Sequence, residues 1–221
     1  MKYNFTLAVF SLLIISSAKA QVRYGVQAGV NIANWQGDAL NSLNDVVDLS
    51  KGFISTKSRT GFHIGGYANI PITKTISFQP SLQYSQKGYA MKGDLKIDAL
   101  KFLGINASAK IEADYFDMPL LIKAVVAKGL SIYAGPQISY LAKTNLHINT
   151  SVLGISLLNK KLDLTDNFNR MDVGIVGGLG YQFDNGFNLK AGYDYGLSKL
   201  DKNDNFKAYN RVVKLSLGFS F

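Results

Sequence analysis

Val213-Lys214-Leu215-Ser216-Leu217-Gly218-Phe219-Ser220-Phe221 alternates without a slip between apolar residues and small or polar ones. An α-helix would scatter the five apolar side chains around its circumference, whereas a β-strand puts all of them on one face. The preceding segment repeats the pattern: Phe187, Leu189, Ala191, Tyr193, Tyr195 and Leu197 alternate with Asn188, Lys190, Gly192, Asp194, Gly196 and Ser198. Between the two lies a connection of about Lys199 to Asn210. Before them, Asp184-Asn185-Gly186 carries the Asn-Gly signal of a tight hairpin.

Six more segments fit the same template. Their apolar sets begin at Tyr24, Phe62, Ile76, Phe116, Leu130 and Val173. Eight strands of about nine to eleven residues match the length that crosses a bilayer when tilted. Pro71 to Thr75, Ala127 to Gly129 and Asp184 to Gly186 are short turns. The other connections, Ala33 to Thr60, Lys87 to Asp114, Lys143 to Arg170 and Lys199 to Asn210, are long. This asymmetry predicts an all-β fold: an eight-stranded antiparallel up-and-down transmembrane barrel with four long extracellular loops, both termini at the short-turn end.

The alternation leaves open whether the apolar face lines the outside or, as in a soluble ligand-binding barrel, the inside. Three features favour outside. The other face carries Gly, Ser, Gln, Asn and charges of both signs. Aromatic residues Tyr24, Phe62, Phe78, Tyr84, Phe183, Phe187 and Phe221 stand near strand ends on the apolar face, as interfacial girdles do. The apolar face is essentially uncharged. The predicted lumen network is therefore Arg23, His63, Asp117, Lys123, Asp172, Lys190, Asp194 and Lys214, paired and filling a narrow barrel. Pro80, Pro119 and Pro136 resist the scheme. A closed barrel has no free edge for a missing N–H, so they are expected at bulges, or one of their strands is mis-registered.

The chain has 221 residues, Gly 21, Tyr 12, Phe 13, Pro 4 and Cys 0. Without cysteine a disulfide scaffold, a thiolate zinc site, a Cys nucleophile and a lipoprotein anchor are excluded. Residues 1–20 read as a secretory signal: a basic Met1-Lys2 start, an apolar run Leu7 to Ile15, and the small-x-small Ala18-Lys19-Ala20. The barrel domain then occupies 21–221. Removing Lys2 and Lys19 from the 24 basic residues leaves 22 against 15 acidic, a net charge of +7. In an exported chain this charge addresses an anionic membrane surface or lipopolysaccharide, or serves solubility, rather than nucleic acid.

No constellation for chemistry emerges. His63 faces the predicted lumen and His147 falls in the third long loop. Ser85 and Asp172 could complete a triad with His63 only if all three met at the lipid-facing surface, and they point inward. Asp163, Asp166 and Asp172 are too dispersed for a calcium loop. No cofactor is expected. In the loops, Asp38 to Ser50 places Leu40, Leu43, Val46 and Val47 at helical spacing, read as loop packing. Alternation in Asp94 to Lys101, Lys110 to Asp114, Leu146 to Ile148 and Ile155 to Leu157 predicts strands continuing above the membrane and pairing with each other.

The chain resembles the PorT-like outer membrane protein β-barrel domain family over the whole of 21–221. The carriers are YGVQAGVNIAN (24–34), GFHIGGYANIPI (61–72), SFQPSLQYSQKG (77–88), YFDMPLLIK (115–123), GLSIYAGPQISYL (129–141), MDVGIVGGLGYQF (171–183), NLKAGYDYGLSKL (188–200) and VVKLSLGFSF (212–221). The resemblance implies insertion in the outer membrane of a Gram-negative cell, contact with its lipid and lipopolysaccharide, and no catalytic activity. It also implies recognition of Phe219 and Phe221 by barrel-assembly machinery. The expected role is structural or surface-interacting, with an unidentified surface protein as a further partner. A narrow porin-like passage, or a soluble barrel binding an apolar ligand, are the alternatives.

Overall fold

The computed structural model describes residues 22–37, 54–94, 106–152, 155–202 and 207–221. The strands are β1 (Arg23–Gln36), β2 (Ile54–Pro71), β3 (Ile76–Asp94), β4 (Asn106–Val125), β5 (Leu130–Val152), β6 (Ile155–Asp163), β7 (Met171–Gln182), β8 (Phe187–Gly196) and β9 (Tyr209–Ser220). All neighbours are antiparallel. β1 pairs with β9 from Gly25↔Ser220 to Gln36↔Tyr209, which closes an eight-stranded barrel. β6 is not a ninth stave. β5 pairs with β7 through its first half, from Leu130 to Tyr140, and with β6 through its second, from Asn145 to Val152. β6 therefore continues the line of β7 above a 3-10 turn, Thr165–Asn167.

The apolar set faces outward on all eight staves. Leu215, Leu217 and Phe219 keep 49%, 53% and 38% of their surface exposed, while Lys214 between strand neighbours is buried. This excludes the soluble barrel with an apolar interior. Aromatic rings mark two levels of the outer face. Near the turns, Phe187 meets Phe219 with centroids 5.1 Å apart, and Tyr181 meets Phe183 at 4.9 Å. Toward the other end, Tyr84 contacts Phe62 at 5.6 Å and Phe116 at 6.1 Å, and Phe116 is the ladder partner of Tyr140. Amphipathic and aromatic rings at two levels, with aliphatic residues between, suit a bilayer with two interfaces.

The three short turns stand where the sequence places them. At the opposite end the strands run further than expected. Lys87 to Asp94 belongs to β3 and 106–113 to β4. His147, expected in a loop, lies inside β5, opposite Lys110 and Lys161. The reason is that the ladders persist past the outer aromatic level: Ile111 pairs with Leu146, and Leu146 with Leu162. Lys110 to Asp114, Leu146 to Ile148 and Ile155 to Leu157 are thus self-paired extensions, as expected. Residues 95–101, the segment Asp38 to Ser50 and the signal segment 1–20 lie outside the described residues.

The prolines do not sit at bulges, and their strands are not mis-registered. Each coincides with a gap in only one of its two ladders. The β2–β3 ladder skips Pro80, the β3–β4 ladder passes from Pro80↔Leu120 to Gln83↔Asp117 and skips Pro119, and the β4–β5 ladder skips Pro136. Registers are the same on both sides of each gap, and each proline itself stays paired in its second ladder. In an antiparallel pair a residue directs its N–H and C=O to the same neighbour, so a missing N–H interrupts one ladder and spares the other. The true irregularities lie elsewhere: between Ser58 and His63 on the β2–β3 ladder, at Ala142, the extra residue between Leu141 and Lys143, and at Leu157, the extra residue between Ser156 and Leu158 on the β5–β6 ladder.

Gly88, beside the first of these, has φ +136°, and a Cβ there would lie 2.1 Å from the Ile111 carbonyl oxygen. Gly88→Ala is expected to lower unfolding stability by more than about 1 kcal/mol. Gly66→Ala, whose added Cβ would meet nothing nearer than 3.6 Å, should stay within about 0.5 kcal/mol of wild type. Urea midpoints of the folded barrels compare the two.

Candidate functional site: the filled lumen

The inward side chains of the staves stack in three tiers. The middle tier is ionic. Asp117 on β4 is fully buried and takes two lysines: Lys87 Nζ on Oδ1 at 2.8 Å and Lys214 Nζ on Oδ2 at 3.1 Å. Lys214 also reaches Asp194 Oδ2 at 2.6 Å, and Gln137 Nε2 donates to the same oxygen at 3.3 Å. Lys87 donates further to Ser139 Oγ at 3.3 Å and lies 4.6 Å from the centre of the Tyr115 ring. Two buried ammonium groups thus face two buried carboxylates, the condition under which ions tolerate removal from water. Asp172 accepts from Asn210 Nδ2 at 2.8 Å.

His63 belongs to this tier through neutral partners. Its Nδ1 lies 2.7 Å from Asn31 Oδ1 and its Nε2 2.8 Å from Ser216 Oγ. Ser85 Oγ accepts from Asn31 Nδ2 at 3.0 Å. Among the described residues His63 therefore makes no hydrogen bond to either Ser85 or Asp172. A void of about 30 Å³ lies beside His63, Gln137, Asp194 and Lys214, room for a water or two.

The upper tier is apolar, which the alternation did not reveal. Trp35 stacks on Tyr89 with centroids 5.8 Å apart and planes 10° apart, and packs against Phe168 at 5.6 Å. Ala113, Tyr115, Leu141, Leu200 and Ala208 complete the cluster. Phe168 and Leu200 come from connections between strands. They are pinned by the Phe168↔Asp201 bridge, by Asn169 N–H to Leu200 O at 2.8 Å and by Leu200 N–H to Ala208 O at 2.9 Å. Arg59 bridges the two tiers by donating to the Lys87 carbonyl.

The lower tier is open. Arg23, Lys123 and Lys190 line a cavity of about 920 Å³ at the turn end. The structure therefore divides the predicted lumen residues. His63, Asp117, Asp172, Asp194 and Lys214 are in the middle tier, joined by the unforeseen Lys87, whereas Arg23, Lys123 and Lys190 stand apart from the acids. Lys87 was within reach of the pattern, since Ser85, Lys87 and Tyr89 continue the inward alternation of β3.

Above the outer aromatic level, Glu112 gathers Lys110 Nζ at 2.7 Å, His147 Nε2 at 3.2 Å and Arg59 Nη2 at 3.7 Å. Partial burial alone would push the Glu112 carboxyl up, but the Lys110 hydrogen bond and the surrounding positive charges together hold it below the usual carboxylate range. Asp163 and Asp166 serve locally. Asp163 accepts from the Thr165 hydroxyl and N–H, and Asp166 from Arg170 at 2.9 Å. Among the described residues no group of three or more His, Cys, Asp or Glu could hold a metal ion.

A model of the outer membrane protein β-barrel domain family matches residues 16–202. The chain belongs to that family. Solved structures similar to this family member include the Yersinia pestis attachment invasion locus protein Ail, in complex with the heparin analogue sucrose octasulfate. It is 13% identical, with 90% of this chain and 99% of that chain covered and a TM-score of 0.46. Neisserial surface protein A is 13% identical over 90% and 97% of the two chains, with a TM-score of 0.40. The N-terminal β-barrel domain of Pseudomonas aeruginosa OprF is 14% identical over 91% and 100%, with a TM-score of 0.32. No curated protein matches the sequence.

Proposed function

We propose that this chain is a sealed, non-enzymatic barrel of the bacterial outer membrane with a structural or surface-interacting role. The observation that carries the reading is the filled lumen. An apolar plug around Trp35 and Phe168 lies over an ionic tier beside which a void of about 30 Å³ remains, and this close filling supports a lumen without a hydrated path. The His63, Ser85 and Asp172 side chains are each engaged with partners that do not assemble a nucleophile and base. The extended strand end, carrying β6 and the paired upper halves of β4 and β5, faces the cell exterior and is the surface offered to another protein. The turn end faces the periplasm.

Within the family, the motifs quoted above support a reading of the chain as a PorT-like barrel. Residues 1–20 are a cleavable export signal, lipid and lipopolysaccharide surround the outward aliphatic belt, and Phe219 and Phe221 are read by barrel-assembly machinery. No nucleic acid and no cofactor take part. The alternative, a narrow passage for ions or small solutes, makes the opposite electrical prediction. Purified protein in planar bilayers is expected to give no conductance steps. Trp35→Ala/Phe168→Ala, which removes the plug's central rings, is expected to give at most brief openings because the ionic tier remains. Stable unitary conductance from the wild-type chain would favour the passage and sink the sealed-barrel reading.

A further inference from the structure

The barrel pairs its buried lysines with carboxylates and leaves half-buried ones at the turn end without. Lys87 and Lys214 each have an acid within 3.1 Å. Arg23, Lys123 and Lys190, at the turn end of the same lumen, have none within ion-pair distance among the described residues. They are not spread out. Arg23 is the ladder partner of Asn69 and Lys123 the partner of Ser77, while Ser77 Oγ donates to Asn69 Oδ1 at 2.8 Å, so the two cations flank one hydrogen-bonded pair. Arg23 and Lys123 repel each other, and Lys123 repels Lys190. Like charges held together in a partly desolvated space cost free energy unless a counter-charge is present.

Lys190 is the innermost. Its Nζ donates to Gln27 Oε1 at 3.1 Å and Gln79 Oε1 at 3.2 Å and lies 4.3 Å from the centre of the Tyr67 ring. These neutral contacts position the ammonium without neutralising it, and one of its three protons has no acceptor among them. All three cations line the same cavity of about 920 Å³, a volume in the range of small-molecule sites. Asp184 in the lining stands on an exposed turn and leans toward Lys128 at 3.9 Å, the α-carboxylate of Phe221 makes no ion pair with the three cations among the described residues, and Lys74 adds a fourth cation to the rim.

We infer that the turn-end vestibule binds a phosphate-type oxyanion carrying at least two negative charges. The Arg23 fork would grip two oxygens, with Lys123 beside it and Lys190 deeper in acting as point charges. Asn69, whose oxygen is already committed to Ser77, has amide donors to add. The inference holds whether or not the lumen conducts, and it does not depend on which side of the membrane the turn end faces. The shared chemistry admits two sources, a soluble phosphate compound or the headgroup of an anionic lipid at the rim.

The test uses the full barrel in phosphatidylcholine nanodiscs, titrated calorimetrically with inorganic pyrophosphate. In a second arm, native mass spectrometry counts phosphatidic acid, whose phosphomonoester headgroup can carry two charges, retained from nanodiscs that contain it. Saturable binding is expected in one arm or both, weakening with salt as screening requires. Lys123→Gln and Arg23→Gln, both near the mouth and outside the ionic tier, should each weaken it at least about tenfold, the scale of one lost charge-assisted hydrogen bond. Lys110→Gln at the far end should leave it unchanged. Binding in the first arm names a soluble ligand and binding confined to the second names a lipid headgroup. Absence of binding in both arms, or binding that Lys123→Gln and Arg23→Gln leave intact, overturns the inference.

Discussion

Asp117→Asn is expected to destabilise the barrel by about 3–5 kcal/mol, the effect of removing one partner from a buried ion network. The substitution keeps the shape and deletes the charge. Lys214 would retain Asp194 at 2.6 Å, but Lys87, 1% exposed, would keep only Ser139 and the Tyr115 ring. An ammonium in that position is desolvated without a counter-ion. The double variant Lys87→Met/Asp117→Leu should recover much of the loss, because it removes both the stranded charge and the group that stranded it, and leaves Lys214 paired with Asp194. Trp35 is the sole tryptophan and lies in the plug directly above, so its fluorescence during urea unfolding in lipid vesicles reports both variants. If Asp117→Asn unfolds within about 1 kcal/mol of wild type, the ionic tier does not hold the staves together.

The second large effect is on the outer face. Leu215→Arg is expected to cost about 2–4 kcal/mol, as for a cation at the bilayer midplane of an outer-membrane barrel. Leu215 lies between the two aromatic levels, opposite Val30 and Ala191 on the neighbouring staves. Ile72→Arg, on the β2–β3 turn, places the same charge in an equally exposed apolar position but beyond the aliphatic belt, and should cost about 0–1 kcal/mol. The contrast matters more than either value. In water both substitutions would be near neutral, since both sites are exposed. Equal effects in vesicles would mean that the belt around Leu215 does not face lipid.

These two effects rest on different amounts of sequence information. The face of every stave was legible because it is local: side chains alternate with period two, and residues such as Lys214, Leu215 and Ser216 report their own sides. The short turns were legible for the same reason. The ends of the strands were not. Inward Lys87 and Tyr89 continue the alternation of β3, but a lysine and an aromatic ring break the run of small and amide residues that marks the lumen below. The upper halves of β4 and β5 exist because Ile111, Leu146 and Leu162 line up across three strands, and no single segment shows that.

The prolines make the same distinction. From sequence, Pro80, Pro119 and Pro136 demand some break in pairing, and a bulge is the economical form of it. Which ladder breaks depends on the neighbour toward which the missing N–H would point, and that is a property of the register between strands. The plug is further from reach. Phe168 and Leu200 lie in connections without alternation, and their burial against Trp35 depends on hydrogen bonds between chain segments far apart in sequence.

From the order of residues alone came the strand class, the outward apolar face, the turn end and the pool of lumen charges. Tertiary structure decided which of those charges meet. Closure of β1 on β9 fixes the height of each stave against the next, and height sorts the cations: Lys87 and Lys214 come level with Asp117 and Asp194, while Arg23, Lys123 and Lys190 come to rest below them with no carboxylate in ion-pair reach among the described residues. Alternation is written into neighbouring residues, whereas height is set by hydrogen-bond ladders joining residues as distant as Val26 and Phe219, so only the closed barrel could show which charges are paired and which stand apart from the acids.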